Sequence, residues 1–164
     1  MSKIIKTERL IIRPLELADS LFMLALANSE GWLRFIGDRN INSEKEAETY
    51  IATILNTPKF YYNVILIQGS YEPIGILSFI HRQNYSYPDF GFALLPKFQK
   101  KGYAEEAAKE YLNELLIEKA SENIIAITKT QNSSSIDLLK KLGFAFVSKD
   151  ENSIEDLDVY SIKS

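Results

Sequence analysis

Leu94-Leu95-Pro96-Lys97-Phe98-Gln99-Lys100-Lys101-Gly102-Tyr103-Ala104 constrains this chain more than any other stretch. An apolar strand ends there, a proline breaks it, and a short basic loop with one glycine runs straight into a long helix. No Ser, Thr, Asp or Asn lies between Phe98 and Tyr103 to cap that helix, so its first backbone N–H groups need other partners. They lie at the positive end of the helix dipole beside Lys100 and Lys101, the setting that a bound phosphate requires. Two readings are open. Either Gly102 serves as the N-cap and water satisfies the amides, or a phosphate does.

The pattern around this junction alternates strands and helices. Residues 6–15 alternate loosely and end at Arg13-Pro14, which predicts a first strand. Residues 16–28 place Leu17, Leu21, Leu24 and Ala25 on one face of a helix, and residues 31–41 read as irregular. Ser43-Glu44-Lys45-Glu46 is a capping box, and the helix behind it uses Ala47, Tyr50, Ile51 and Ile54. Strands are expected at 61–68, 73–82 and 89–95, the first two joined by the turn Gly69-Ser70-Tyr71-Glu72. An amphipathic helix from Tyr103 to about Lys119 carries Ala104, Ala107, Ala108, Tyr111, Leu112 and Leu115 inward, with Glu105 and Lys109 paired outside. A buried strand follows at 124–128 and a helix at 132–142, stopped by Lys140, Lys141 and Gly143. Residues 144–148 and 157–162 form a closing strand pair. This order predicts a mixed α/β domain (α+β), with helices packed on a largely antiparallel sheet.

The 164 residues fit a single domain, 1–164, and no repeat or low-complexity linker divides them. Nineteen basic against 22 acidic residues give a net charge of −3, which argues against nucleic acid as a partner while allowing a local basic pocket. Apolar runs such as Val64-Ile65-Leu66-Ile67 are too short to cross a membrane. Charges at Lys3, Lys6 and Glu8 stand where a signal peptide needs an apolar segment, so the cytoplasm is the expected location. There is no cysteine and one histidine, His81, so neither a thiolate nor a His-rich metal site is expected.

With those elements in order, the chain resembles the GNAT N-acetyltransferase family over nearly its whole length. The family's cofactor motif, Gln/Arg-x-x-Gly-x-Gly/Ala at a strand-to-helix junction, reads Gln99-Lys100-Lys101-Gly102-Tyr103-Ala104 here. Thr7-Glu8-Arg9-Leu10-Ile11-Ile12-Arg13-Pro14-Leu15 resembles the ribosomal-protein alanine N-acetyltransferase (RimJ/RimL-type) branch. So do Arg34-Phe35-Ile36-Gly37-Asp38, Asp89-Phe90-Gly91-Phe92, and Asn132-Ser133-Ser134-Ser135 with Leu142-Gly143-Phe144. The resemblance implies a mostly antiparallel sheet of about seven strands, helices on both faces, and a cofactor cleft where two strands splay apart. It also implies acetyl-CoA as co-substrate and an amine-bearing acceptor, either a protein N-terminus or a small molecule. Relatives occur as monomers and homodimers.

Carried onto this sequence, the resemblance sets the pyrophosphate on the amides of Lys100, Lys101, Gly102, Tyr103 and Ala104, with Gln99 opening the motif. It sets the pantetheine arm along Phe92-Ala93-Leu94, with Asn132 bonding to it; Asn132, Ser133 or Ser134 is equally a helix cap. Asp89 is the candidate base for the attacking amine, against the alternatives of an ordinary turn residue and of deprotonation by bulk water. Many relatives use a tyrosine to protonate the departing thiolate, and this chain has Leu139 there. Ser135 is the substitute, as proton donor or as hydrogen-bond donor to the sulfur. Trp32, Phe35, Phe79, His81, Tyr85 and Tyr87 are candidate walls for the acceptor, and aromatics at such spacings are also ordinary core. The missing tyrosine leaves a second reading beside the enzyme, a non-catalytic acyl-CoA-binding module. A nucleotide-hydrolysing phosphate loop is disfavoured because no Gly-x-x-x-x-Gly-Lys-Ser/Thr occurs.

Overall fold

The alternation of side chains along the N-terminal strands decides the layering. In the computed structural model, which describes residues 3–118 and 123–163, β2 (Leu10–Pro14) turns Leu10 and Ile12 to one face and Ile11 to the other. β3 (Phe60–Ile67) does the same with Ile65 against Val64 and Leu66. Strands that are apolar on both faces need cover on both. α4 (Tyr103–Glu118) and α5 (Ser133–Lys141) supply it on the first face, through Ala107, Ala108, Tyr111, Leu112, Leu115 and Leu139. α1 (Ser20–Ala27), α2 (Glu30–Phe35) and α3 (Glu44–Leu55) supply it on the second, through Phe22, Met23, Leu26, Trp32, Ala47 and Ile51.

The remaining strands are β1 (Ile5–Lys6), β4 (Pro73–Ile80), β5 (Asp89–Leu94), β6 (Asn123–Lys129), β7 (Ala145–Lys149) and β8 (Leu157–Lys163). All belong to one sheet of eight strands in the order β1-β2-β3-β4-β5-β6-β8-β7. Every neighbouring pair is antiparallel except β5 and β6, which run parallel. The helix between β5 and β6 is the crossover that a parallel pair requires. The mixed, mostly antiparallel sheet with helices on both faces is as expected from the sequence.

Four local expectations are corrected. The first strand is two: the Thr7 amide donates to the Leu10 carbonyl at 2.9 Å and the Leu10 amide to Thr7 Oγ1 at 3.0 Å. That turn cuts β1 from β2 and raises the count from about seven to eight. The helix expected at 16–28 opens as a 3-10 turn, Leu17–Asp19, before α1 begins. The change of winding rotates the inward face, so Leu17 and Leu21 are exposed while Phe22, Met23, Leu26 and Ala27 are buried. Residues 31–41 are not wholly irregular, since burial of Trp32 holds the short helix α2. Glu105 and Lys109 form no ion pair among the described residues.

Other local signals act as read. Ser43 Oγ accepts from the Glu46 amide at 3.1 Å and caps α3. α4 is described as far as Glu118, and the expected end at Lys119 lies outside the described residues.

Candidate active site

The site begins where β5 and β6 separate. The two strands share one register pair, Asp89 with Ile125, and the Ile125 amide donates to the Pro88 carbonyl at 2.9 Å. Beyond it β5 stays paired with β4 as far as Leu94, but residues 91–94 have no described strand on the β6 side. The result is a wedge whose apex is Asp89 and whose open wall is the backbone of β5. Phe90 and Phe92 turn to the α4–α5 face, where Phe90 lies 6.2 Å from the Tyr111 ring and 6.0 Å from that of Phe144. Alternation then sets Asp89 and Ala93 on the α1–α3 face. The Phe90 and Phe92 side chains and the Asp89 carboxylate therefore lie on opposite faces of the sheet.

Asp89 is only 8% exposed. Burial pushes its carboxyl up to about 6, against the opposing pull of Arg82, whose Nε donates to Oδ2 at 3.0 Å, and of the Ile127 backbone amide. A group poised there is ionised at neutral pH yet basic enough to take a proton. Beside it, the Tyr85 hydroxyl donates to the buried Asp150 carboxylate, which ties the β4–β5 loop to the end of β7. Burial first, and that bond second, raise the Tyr85 phenol to about 12, so it stays protonated.

At the mouth of the wedge, the loop ahead of α4 has Lys100 at φ 62° and Gly102 at φ 80°. Left-handed residues interleaved with ordinary ones make a concave run of amides, a shape suited to anions. The first α-type bond of α4 runs from the Glu106 amide to the Gly102 carbonyl at 3.1 Å. No described acceptor takes the amides of Lys100, Lys101, Gly102, Tyr103 or Ala104. Lys100 and Lys101 stand exposed beside them, with no carboxylate in ion-pair range among the described residues. Gln99 turns back, its Nε2 donating to the Leu94 carbonyl at 3.3 Å, and so links the loop to the end of β5.

At the start of α5, Asn132 Oδ1 accepts from the Ser135 amide at 3.4 Å, so Asn132 does cap the helix. Its Nδ2 remains for another acceptor. Ser135 is half-buried. Leu139 is 2% exposed within the first-face core and has no acidic proton to give.

Two of the expected acceptor walls lie within the core. Phe79 is 0% exposed and packs in the first-face cluster, and Trp32 is 4% exposed in the second. Phe35, His81 and Tyr85 are half-buried and Tyr87 is exposed, so these four remain open to contact. His81 presents its ring edge-on to Phe79 at 5.4 Å. Thr7, Arg9 and Glu106 were not singled out as site residues. Their contacts span about a hundred positions of sequence, so the motif that holds Thr7 and Arg9 gives no sign that they meet Glu106. Among the described residues no group of three or more His, Cys, Asp or Glu is placed to hold a metal, and no helix is long and apolar enough to cross a membrane.

A strand pair opened at one register pair, with an uncapped basic helix start at its mouth, can be compared with known proteins. The model of the acetyltransferase (GNAT) domain matches residues 9–145. The chain belongs to the GNAT acetyltransferase family. This GNAT domain is 26% identical over 139 residues to an uncharacterized N-acetyltransferase, YnaD, of Bacillus subtilis, covering 85% of this chain and 81% of that one. Its fold superposes on a GNAT acetyltransferase of Bacillus anthracis with a TM-score of 0.80 at 24% identity, over 98% of both chains. RimL, a ribosomal L7/L12 α-N-protein acetyltransferase solved with coenzyme A, gives 0.84 at 15% identity over 98% of each. A ribosomal-protein-S5-alanine acetyltransferase of Vibrio fischeri gives 0.81 at 15%, over 98% and 96%. Family membership makes the chain an acetyltransferase enzyme, and the non-catalytic module recedes as its description.

Proposed function

We propose that this GNAT enzyme uses acetyl-CoA as donor and a primary amine, on a protein N-terminus or a small molecule, as acceptor. The observation that carries the reading is the wedge between β5 and β6, opened at Asp89 and headed by unclaimed amides at Lys100–Ala104. The amides and the two lysines suit a diphosphate. The free edge of residues 91–94 suits an extended, amide-bearing arm that adds to the sheet like another strand. The thioester of such an arm reaches the apex, and the acceptor approaches past Phe35, Tyr85 and Tyr87, with His81 against Phe79 on the α4–α5 face of the sheet.

Asp89 takes a proton from the ammonium form of the acceptor, directly or through one water. The neutral nitrogen attacks the thioester carbonyl carbon, a C–N bond forms, the C–S bond breaks, and the nitrogen's remaining extra proton passes through solvent to the departing thiolate. The sulfur leaves as thiolate, for which Ser135 Oγ is a hydrogen-bond donor. With a thiol pKa near 8.5 that leaving group needs no strong acid, which fits the leucine at position 139. Holding amine and thioester together contributes much of the acceleration, since well-oriented groups gain effective molarities of about 10⁵ M or more.

Incubation with acetyl-CoA and a panel of amines, including Ala- and Ser-starting peptides and polyamines, tests the reading through release of free thiol. Release that depends on an added amine is expected. Binding of CoA without turnover on any amine would overturn the assignment of acceptor class, and absence of CoA binding would overturn the donor.

A further inference from the structure

Arg9 lies at the end of the Thr7–Leu10 turn, far from the loop in sequence, yet its guanidinium reaches the loop on every side. Nε donates to Glu106 Oε2 at 2.7 Å, on the first turn of α4. Nη1 donates to the Lys101 carbonyl at 3.1 Å, inside the loop itself. The plane of the group lies over the Tyr103 ring, 4.4 Å from its centroid. A Cβ added at Gly102 would sit 3.4 Å from Nη2. Glu106 is fixed in turn: its Oε1 accepts from the Arg9 amide at 2.8 Å and from Thr7 Oγ1 at 2.6 Å. Burial works against its charge, but the bonds from Thr7 and Arg9 prevail and hold its carboxyl below the usual range.

Lys100 and Gly102 are both left-handed and flank Lys101 in the loop, and at Lys100 that backbone conformation costs a non-glycine residue energy. Such a conformation persists only where the surroundings over-determine it. We infer that Arg9 is a positioning residue for the diphosphate grip: braced on Glu106, it pins the Lys101 carbonyl outward so that the loop amides face the ligand. The inference rests on the donor reading of the preceding section. A rigid guanidinium fork can bond the carboxylate, the carbonyl and the ring face together, and a lysine cannot.

The test measures binding of CoA and of pantetheine, which lacks the diphosphate, to wild type, Arg9→Ala, Arg9→Lys and Lys3→Ala. Lys3 is the control, since it joins the same N-terminal segment to α4 through Glu114, away from the loop. Arg9→Ala is expected to weaken CoA about tenfold, the scale of one lost charge-assisted bond, and to leave pantetheine within about twofold. Arg9→Lys should fall between, and Lys3→Ala should change neither. Arg9→Lys alone carries the comparison if Arg9→Ala melts below the assay temperature. Equal weakening of CoA and pantetheine would make Arg9 a general staple and overturn the inference, as would unchanged CoA affinity. Wild-type protein that binds CoA no tighter than pantetheine would overturn the diphosphate reading beneath it.

Discussion

Asp89 sits where a strand pair ends, and its protonation state is the most testable property of a single residue here. Its carboxyl is raised to about 6 from an ordinary value of 3.8, with burial as the main cause. Between those values the folded protein holds a proton that the unfolded chain has released. The associated stability is therefore full below pH 4 and is lost as pH rises through 6, by about 3 kcal/mol in all. On the proposed role of Asp89 as base, catalysis has the opposite sign, since a base works only when ionised. The rate at low donor concentration should rise with pH through about 6, before the limb set by the acceptor amine. Asp89→Asn should lower kcat about a hundredfold or more, erase that acid limb and flatten stability between pH 4 and 6. A profile that keeps its limb near 6 in the variant would remove Asp89 as the base. Ser135 and Leu139 show how far single residues were legible. The leucine announces the missing acid in the sequence, whereas the burial that tunes Asp89 comes from packing that no local pattern records.

Among the elements, α3 and the α4 loop were legible because their signals are local. Ser43 and Glu46 lie one turn apart, so a capping box can be read directly, and the structure has the Ser43–Glu46 bond. Ser43→Ala should cost about 1 kcal/mol of stability, read as a lower denaturation midpoint, with CoA affinity unchanged because α3 packs on the opposite face of the sheet from α4, whose N-terminal loop carries the proposed diphosphate site. Loss of CoA affinity in that variant would contradict the separation of faces. α2 was not legible. Six residues with a glycine second in line carry too little periodicity, and only burial of Trp32 reveals the helix. The face of α1 was misread for a related reason. The 3-10 turn ahead of it shifts the winding, and Leu17 and Leu21 end outside. The split between β5 and β6 is a property of pairing between strands separated by a helix, and the family resemblance, not periodicity, suggested it.

At the scale of the whole molecule, ligand and fold are coupled. The wedge divides the sheet into β1–β5 on one side and β6, β8 and β7 on the other, joined at Asp89–Ile125 and through the helices. A ligand filling it ties the two parts together and binds only the folded state. At a concentration a hundred times its Kd, CoA should add about 2.7 kcal/mol. For a domain of this size that corresponds to a melting temperature higher by roughly 5 to 10 °C. The chain as a whole is acidic, with a net charge of −3, so on the proposed donor reading the attraction for CoA is local to Lys100, Lys101 and the helix start. Added salt should therefore reduce CoA affinity only moderately, through those few charges.

The most direct measurement is calorimetric titration of CoA into wild type and Gly102→Val. Gly102 stands at φ 80°, with only Arg9 Nη2 near a new Cβ, at 3.4 Å, so a valine there acts by forcing the backbone out of the left-handed region rather than by filling the cleft. Saturable one-to-one binding to wild type, lost or weakened at least a hundredfold in a variant that still melts cooperatively, is the predicted result. Equal affinity in both proteins would contradict the claim that this turn of main-chain amides holds the donor.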